Sequence, residues 1–171
     1  MVKVPFDVNN QSVRDALIHV SMFQALEALS PSLKPGWGRM TAQQMVEHLL
    51  WAVEVSNGTV IVECKVNPRL VERFKTFLYD NTPTSHEFMN PVLKNGLPQL
   101  RCRDVTQAVG MLRDQVDAFA AAPADGTGPL RVHPVFGPLG KEEWSRAHFK
   151  HFCHHLLQFG LIEVGQATAE P

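Results

Sequence analysis

Two histidines near the end of the chain, His151 and His155, have a spacing that suits metal binding. They lie in a short apolar segment from Trp144 to Gly160 that holds four of the chain's eight histidines and is expected to be helical. An α-helix turns once in about 3.6 residues, so side chains four positions apart share one face, with Cβ atoms about 5–6 Å apart. Neutral imidazole is a good ligand for zinc, nickel, copper and iron. The pair therefore predicts half of a transition-metal site.

The same spacing also fits a simpler structural role. Partly buried imidazoles bonded to carbonyls or water would show the same pattern, and a metal site would need a third ligand from elsewhere in the chain. Two further histidines of this segment are expected beside the site or on its rim, because His148 lies one turn earlier and His154 is rotated off the shared face. The spacing alone leaves both interpretations open.

An earlier segment offers a third ligand. Thr41 and Gln44 have the spacing of a capping box, which predicts a helix start, and Asn57-Gly58 is suited to a left-handed helix end. His48 lies on the apolar side of this helix. A histidine so placed is more often bonded within a core than bound to a metal, so His48 is a candidate only if it faces the late pair.

Four long amphipathic segments predict the helices that must position these histidines. They run from about Asn10 to Leu29, from Thr41 to Asn57, from Asp104 to about Ala121, and through the late histidines to about Gly160. Four such helices with extended connections predict an all-α chain folded as a four-helix bundle. Bundles carry metal sites on side chains of facing helices.

The remaining segments are less regular. An accessory helix is expected from Arg69 to Tyr79, and the β-branched run from Thr59 to Cys64 is compatible with a short strand or with a helical continuation. The proline-rich stretch from Asp80 to Gln99 predicts a long loop of the kind that often lines a site. The tail from Gly165 is expected to fray.

Composition limits the function classes. A chain of 171 residues with 44% hydrophobic residues suits one domain with a single core. The formal net charge is -1 and no basic run is present, so nucleic acid is not expected as a partner. No stretch reaches the roughly 18 apolar residues needed to span a bilayer, and the N-terminus lacks a signal-type apolar core, so no membrane contact and a cytoplasmic location are expected.

The three cysteines, Cys64, Cys102 and Cys153, fit reduced thiols better than a disulfide framework. Cys153 lies between the two late histidines, but two positions after His151 rotate it by about 200° around the helix. Its thiol is therefore expected to be inert packing rather than a nucleophile or a ligand.

The chain resembles a known superfamily in four motifs. These are the segment from Met40 to Leu49, the segment from His133 to Leu139, the pair Glu143-Trp144, and the segment from His151 to Gly160. Together they are similar to the DinB/YfiT-like superfamily, and more narrowly to a DinB-related bacterial branch of unknown function. The resemblance covers residues 10 to 162, and its last motif is the most specific.

The resemblance implies an up-down-down-up bundle with three metal-binding histidines, which match His48, His151 and His155 by motif position. Three protein ligands leave an open position on a divalent ion, for which zinc or nickel is expected. Weak candidates for catalytic helpers are Gln44 and His148, each about one turn from a proposed ligand. The resemblance also implies a homodimer.

Two functions follow as hypotheses. The first is a metal-dependent enzyme acting on a small-molecule substrate, either a thiol-dependent S-transferase that uses a low-molecular-weight thiol or a metal-activated hydrolase. Better-understood members of the superfamily imply the thiol chemistry. The second is a non-catalytic bundle that binds a small ligand or a metal in a stress response. A fourth protein ligand would favour the second hypothesis.

Overall fold

A computed structural model describes residues 1–86, 96, 99–123 and 128–166. Its elements in chain order are β1 (Val2–Phe6), α1 (Gln11–Ala16), a π-helical turn (Leu17–Ser21), α2 (Met22–Leu26), α3 (Ala42–Asn57), α4 (Pro68–Lys75), a 3₁₀ turn (Thr76–Tyr79), α5 (Val105–Ala121), β2 (Arg131–His133), β3 (Gly137–Leu139), α6 (Lys141–Gln158) and β4 (Ile162–Gln166). The π-helical turn joins α1 to α2, so these two form one helical region.

The prediction of an all-α four-helix bundle is wrong, because the described residues also form two small sheets. β1 and β4 pair in parallel, with Val2 opposite Ile162. β2 and β3 pair antiparallel, with Arg131 opposite Leu139. The structure is therefore a mixed one, in which helices predominate and each sheet has two strands.

The parallel sheet joins the two ends of the described chain. In β1 the buried Val4 and Phe6 alternate with exposed neighbours, which is the period of a half-buried strand. The expected fraying from Gly165 is wrong for Gly165 and Gln166, because these residues pair with Pro5 and Phe6 in the sheet. The rest of the predicted tail, residues 167–171, lies outside the described residues.

The helix caps agree with the local sequence signals. The Thr41 side chain accepts a hydrogen bond from the Gln44 backbone, the Gln44 side chain reaches back to the Thr41 backbone, and Gly58 ends α3 with φ 78°. Asp104 caps α5 through a hydrogen bond from the backbone of Gln107. These contacts span four residues or fewer, which explains why the sequence predicts both helices well.

Other boundaries differ from the predictions. The first helical region ends at Leu26 rather than at Leu29. The accessory helix is α4, which changes to a 3₁₀ turn before Tyr79. The run from Thr59 to Cys64 is neither strand nor helix. β-branched residues favour strands, but this preference depends on tertiary context and did not produce a strand here.

The long helices bury their apolar faces in one core. Leu49 of α3, Leu112 of α5, and Phe149 and Phe152 of α6 are completely buried there. The ring of Phe149 also lies 5.2 Å from the ring of Phe6, and this contact packs β1 against α6. This core sets the positions of α3 and α6, the two helices that carry the candidate site.

Among the described residues, none of the helices has the length and the apolar character that a membrane span requires.

Candidate metal site

Three histidines converge between α3 and α6. His48 of α3 and His151 and His155 of α6 each offer one ligand atom, and these atoms all lie within 4.8 Å of one another. The Nε2 atoms of His48 and His151 are 2.9 Å apart. The three ring centroids are separated by 4.7 to 4.9 Å. The structure thus brings together the three side chains that the motifs single out.

Burial keeps these imidazoles neutral at pH 7. Burial, together with the nearby His154, lowers the pKa of His48 to about 4. Burial also lowers the pKa of His151 and of His155 well below the usual value, and the other site histidines add to both shifts. Neutral imidazole is the form that binds a metal, so the site carries its ligands in the required state.

The geometry of this donor set fits a transition-metal ion. Two nitrogens bound at 2.0–2.1 Å to one tetrahedral ion stand about 3.3 Å apart. The pair formed by His48 and His151 is slightly closer than that, and no pair is farther apart than 4.8 Å. Small ring rotations would therefore suffice to place all three nitrogens on one ion. His151 is partly exposed, whereas His48 and His155 are buried, so His151 is the most exposed residue of the three.

Comparison with known proteins finds one family. The family described as a protein of unknown function (DUF1569) matches residues 70–160. The chain belongs to this family. The matched range includes His151 and His155, whereas His48 lies before it. No curated protein and no solved structure matches the chain. The DUF1569 description states no function, so function must be inferred from the site.

The two weak catalytic candidates have structural roles in this DUF1569 protein. The Gln44 amide oxygen accepts a hydrogen bond from the backbone of Thr41 and so belongs to the helix cap. The His148 ring is completely enclosed, and its Nε2 lies 2.8 Å from the hydroxyl of Ser56. Ser56 lies two turns beyond His48 on α3. His148 is close enough to lower the pKa of His151 further, but it is not a member of the converging group.

Glu47, the neighbour of His48, connects α3 to the segment before α5. Its carboxylate accepts hydrogen bonds from the backbone of Arg101 at 2.7 Å and of Cys102 at 3.1 Å. Burial alone would raise the pKa of Glu47, but these bonds and one from Gln43 outweigh it and lower the pKa. The carboxylate therefore remains charged and helps to hold α3 in place.

His154 lies at the edge of the site and contacts the loop that begins at Asp80. Its ring is 5.0 Å from that of His155 and packs edge-on against Trp37, whose ring also stacks on His86 at 3.7 Å. His154 also lines a small cavity together with Thr84 and His86. The described beginning of the predicted loop thus packs beside the site, and residues 87–95, 97 and 98 lie outside the described residues.

The sequence patterns did not single out Gln158, whose amide oxygen lies 2.9 Å from the Nδ1 of His155. The spacing of three residues contains a signal, because positions i and i+3 share a helix face. The other partner of this amide, the carbonyl of Trp37, could not be found from the sequence, because any residue offers a backbone carbonyl.

Cys153 occupies the position predicted for it. Its side chain is buried on another face of α6, and burial raises the pKa of the thiol to about 12. We expect Cys153→Ala to keep the metal content of the wild type, because the thiol is neither ionised nor part of the converging group. Metal analysis of the purified variant checks this. Loss of metal with unchanged helical circular dichroism would instead identify the thiol as a ligand.

Proposed function

We propose that this protein is a metal-dependent enzyme in which His48, His151 and His155 hold a divalent ion. The observation that carries the proposal is the convergence of three neutral imidazoles from two helices. Among the described residues this converging group has three members and no fourth. Three protein ligands with an open position are typical of catalytic sites, whereas four are typical of structural ones.

The proposed reaction is thiol-dependent S-transfer to a small electrophilic substrate. A divalent ion, when bound, supplies positive charge that favours the ionised form of a thiol or water beside it. The chain's own residues bind and orient: α3 and α6 hold the three imidazoles, and burial keeps their rings neutral. Cys153 does not provide the reactive sulfur in this proposal, because burial keeps its thiol protonated. An external low-molecular-weight thiol provides it instead.

The choice of reaction also uses the resemblance to the DinB/YfiT-like superfamily, which we propose as a distant relationship of this DUF1569 chain. Its support is that His48, His151 and His155, matched by motif position, lie together. The metal is proposed to be zinc or nickel, both of which accept imidazole ligands. A metal-activated hydrolase is the variant of this proposal within the same class. The homodimer and the cytoplasmic location remain predictions.

Elemental analysis tests the proposal, provided that the protein is purified without a nickel column. We expect close to one zinc or nickel ion per chain, and metal-dependent transfer of a thiol to an electrophilic acceptor such as a haloarene. Protein stripped with a chelator should lose the activity and regain it with the ion. Bound metal without thiol transfer, but with metal-dependent ester hydrolysis, would favour the hydrolase. Bound metal with neither activity would favour the non-catalytic binding bundle.

A further inference from the structure

Gln158, the last residue of α6, connects a site histidine to the loop that precedes α3. Its Oε1 lies 2.9 Å from the Nδ1 of His155, and its Nε2 donates a 2.8 Å hydrogen bond to the carbonyl of Trp37. Its backbone carbonyl accepts a 2.7 Å hydrogen bond from Gly36. The side chain is buried, with 5% of its surface exposed. Three polar groups of Gln158 therefore each have a hydrogen-bond partner.

The contact with Trp37 decides which way the Gln158 amide points. A backbone carbonyl can only accept a hydrogen bond, so the amide nitrogen must face Trp37 and the amide oxygen must face His155. An amide oxygen likewise only accepts. The Nδ1 of His155 must therefore donate, and in a neutral ring that leaves the lone pair on Nε2.

The loop approaches Gln158 closely because residue 38 is a glycine. A Cβ at Gly38 would lie 2.6 Å from the Nε2 of Gln158, and the backbone there has φ +79°, which L side chains rarely adopt. With Gly36 bonded to the backbone of Gln158, the loop closes around the end of α6. The Trp37 carbonyl is thus held at a fixed place, and rotation of the amide would lose both of its hydrogen bonds.

We propose that Gln158 is a positioning residue that holds the proton of His155 on Nδ1 and so presents Nε2 to the divalent ion. This inference rests on the proposed function, because the proposed function supplies the divalent ion that Nε2 faces. Outer partners of this kind set the tautomer and the ring orientation of metal-binding histidines, and their loss typically costs 10–100-fold in metal affinity. Gln158 thereby makes the loop before α3 part of the support of the site.

The substitution Gln158→Met tests this proposal, because methionine keeps the length of the side chain but has no amide. In the metal-free protein we expect nitrogen-15 NMR to show His155 with its proton on Nδ1 in the wild type and shared between both nitrogens in the variant. Zinc titration should show binding weakened by about 10–100-fold. Gln158→Glu should restore the position of the His155 proton, because a carboxylate oxygen still accepts it, although an ionised carboxylate cannot donate to the Trp37 carbonyl.

Gln115→Met is the matched control. Gln115 of α5 accepts a 2.8 Å hydrogen bond from Asn57 at the end of α3, so this variant also loses a side-chain hydrogen bond to the fold. It should keep the wild-type zinc affinity. Equal weakening by both methionine variants, or an unchanged His155 proton in Gln158→Met, would overturn the proposal. A wild type that binds no zinc would refute the metal site, while the NMR comparison would still decide whether Gln158 sets the proton.

Discussion

His48→Ala is expected to remove the bound divalent ion, whereas His154→Ala is expected to retain it. His48 is the only member of the converging group that comes from α3, so without it the two histidines of α6 are the only ligands left in that group. We expect a loss of affinity greater than the 10–100-fold that removal of an outer partner costs. Zinc analysis after dialysis, followed by competition with a chromogenic chelator, measures the difference.

His154→Ala is a close control for this experiment. Its ring lies 5.0 Å from that of His155 and contacts Trp37, but it does not belong to the converging group. Alanine suits a helix at either position, so neither variant should break α3 or α6. Equal loss of metal in both variants would mean that the ligands are assigned wrongly, and retained metal in His48→Ala would end the three-histidine proposal.

The metal-free protein is expected to lose stability steeply as the pH falls below about 6.5. Burial lowers the pKa of His133 to about 3, and burial together with the nearby His133 lowers the pKa of His148 to about 3. In the unfolded chain both rings would take up a proton near pH 6.5. Between about pH 6.5 and pH 3 the unfolded state therefore binds more protons than the folded state, and the free energy of unfolding decreases as the pH is lowered.

Each such histidine contributes about 1.4 kcal/mol for every pH unit in this window. His48, whose pKa is lowered to about 4, acts in the same direction in the metal-free protein. Several kcal/mol should thus be lost by pH 4.5, a large share of the stability of an ordinary domain. Urea unfolding of chelator-treated protein at several pH values between 7.5 and 4.5 measures the slope.

His148→Gln separates this effect from general acid sensitivity. A glutamine stays neutral at every pH. The slope of the unfolding free energy against pH should therefore decrease by the contribution of about one bound proton, whatever the variant does to stability at pH 7. An unchanged slope would mean that His148 is protonated equally in both states. Stability that rises on acidification of the wild type would contradict the buried neutral histidines altogether.

The sequence by itself determined what depends on a few neighbouring residues. Thr41 and Gln44 cap α3, Gly58 ends it, and Asp104 caps α5, all through contacts within four residues. The helical spacing of His151 and His155 follows from the same local geometry. The position of Cys153 on another face of α6 also follows from this geometry, because the rotation per residue is a property of the helix alone.

Tertiary structure decided what depends on distant partners. The parallel pairing of β1 with β4 joins Val2 to Ile162 from opposite ends of the chain, and each strand is only five residues long, too short for its alternation to be distinctive. The all-α prediction failed for this reason. A two-stranded sheet of this kind depends on the helices that it packs against.

The packing of α6 on α3 likewise decided which histidines belong to the site. His155 meets His48, whereas His148, two turns earlier on α6, meets Ser56, two turns later on α3. The two helices therefore run in opposite directions where they touch, and each histidine of α6 faces a different level of α3. Local spacing cannot set that level, because it depends on how two helices slide and rotate against each other within the shared core.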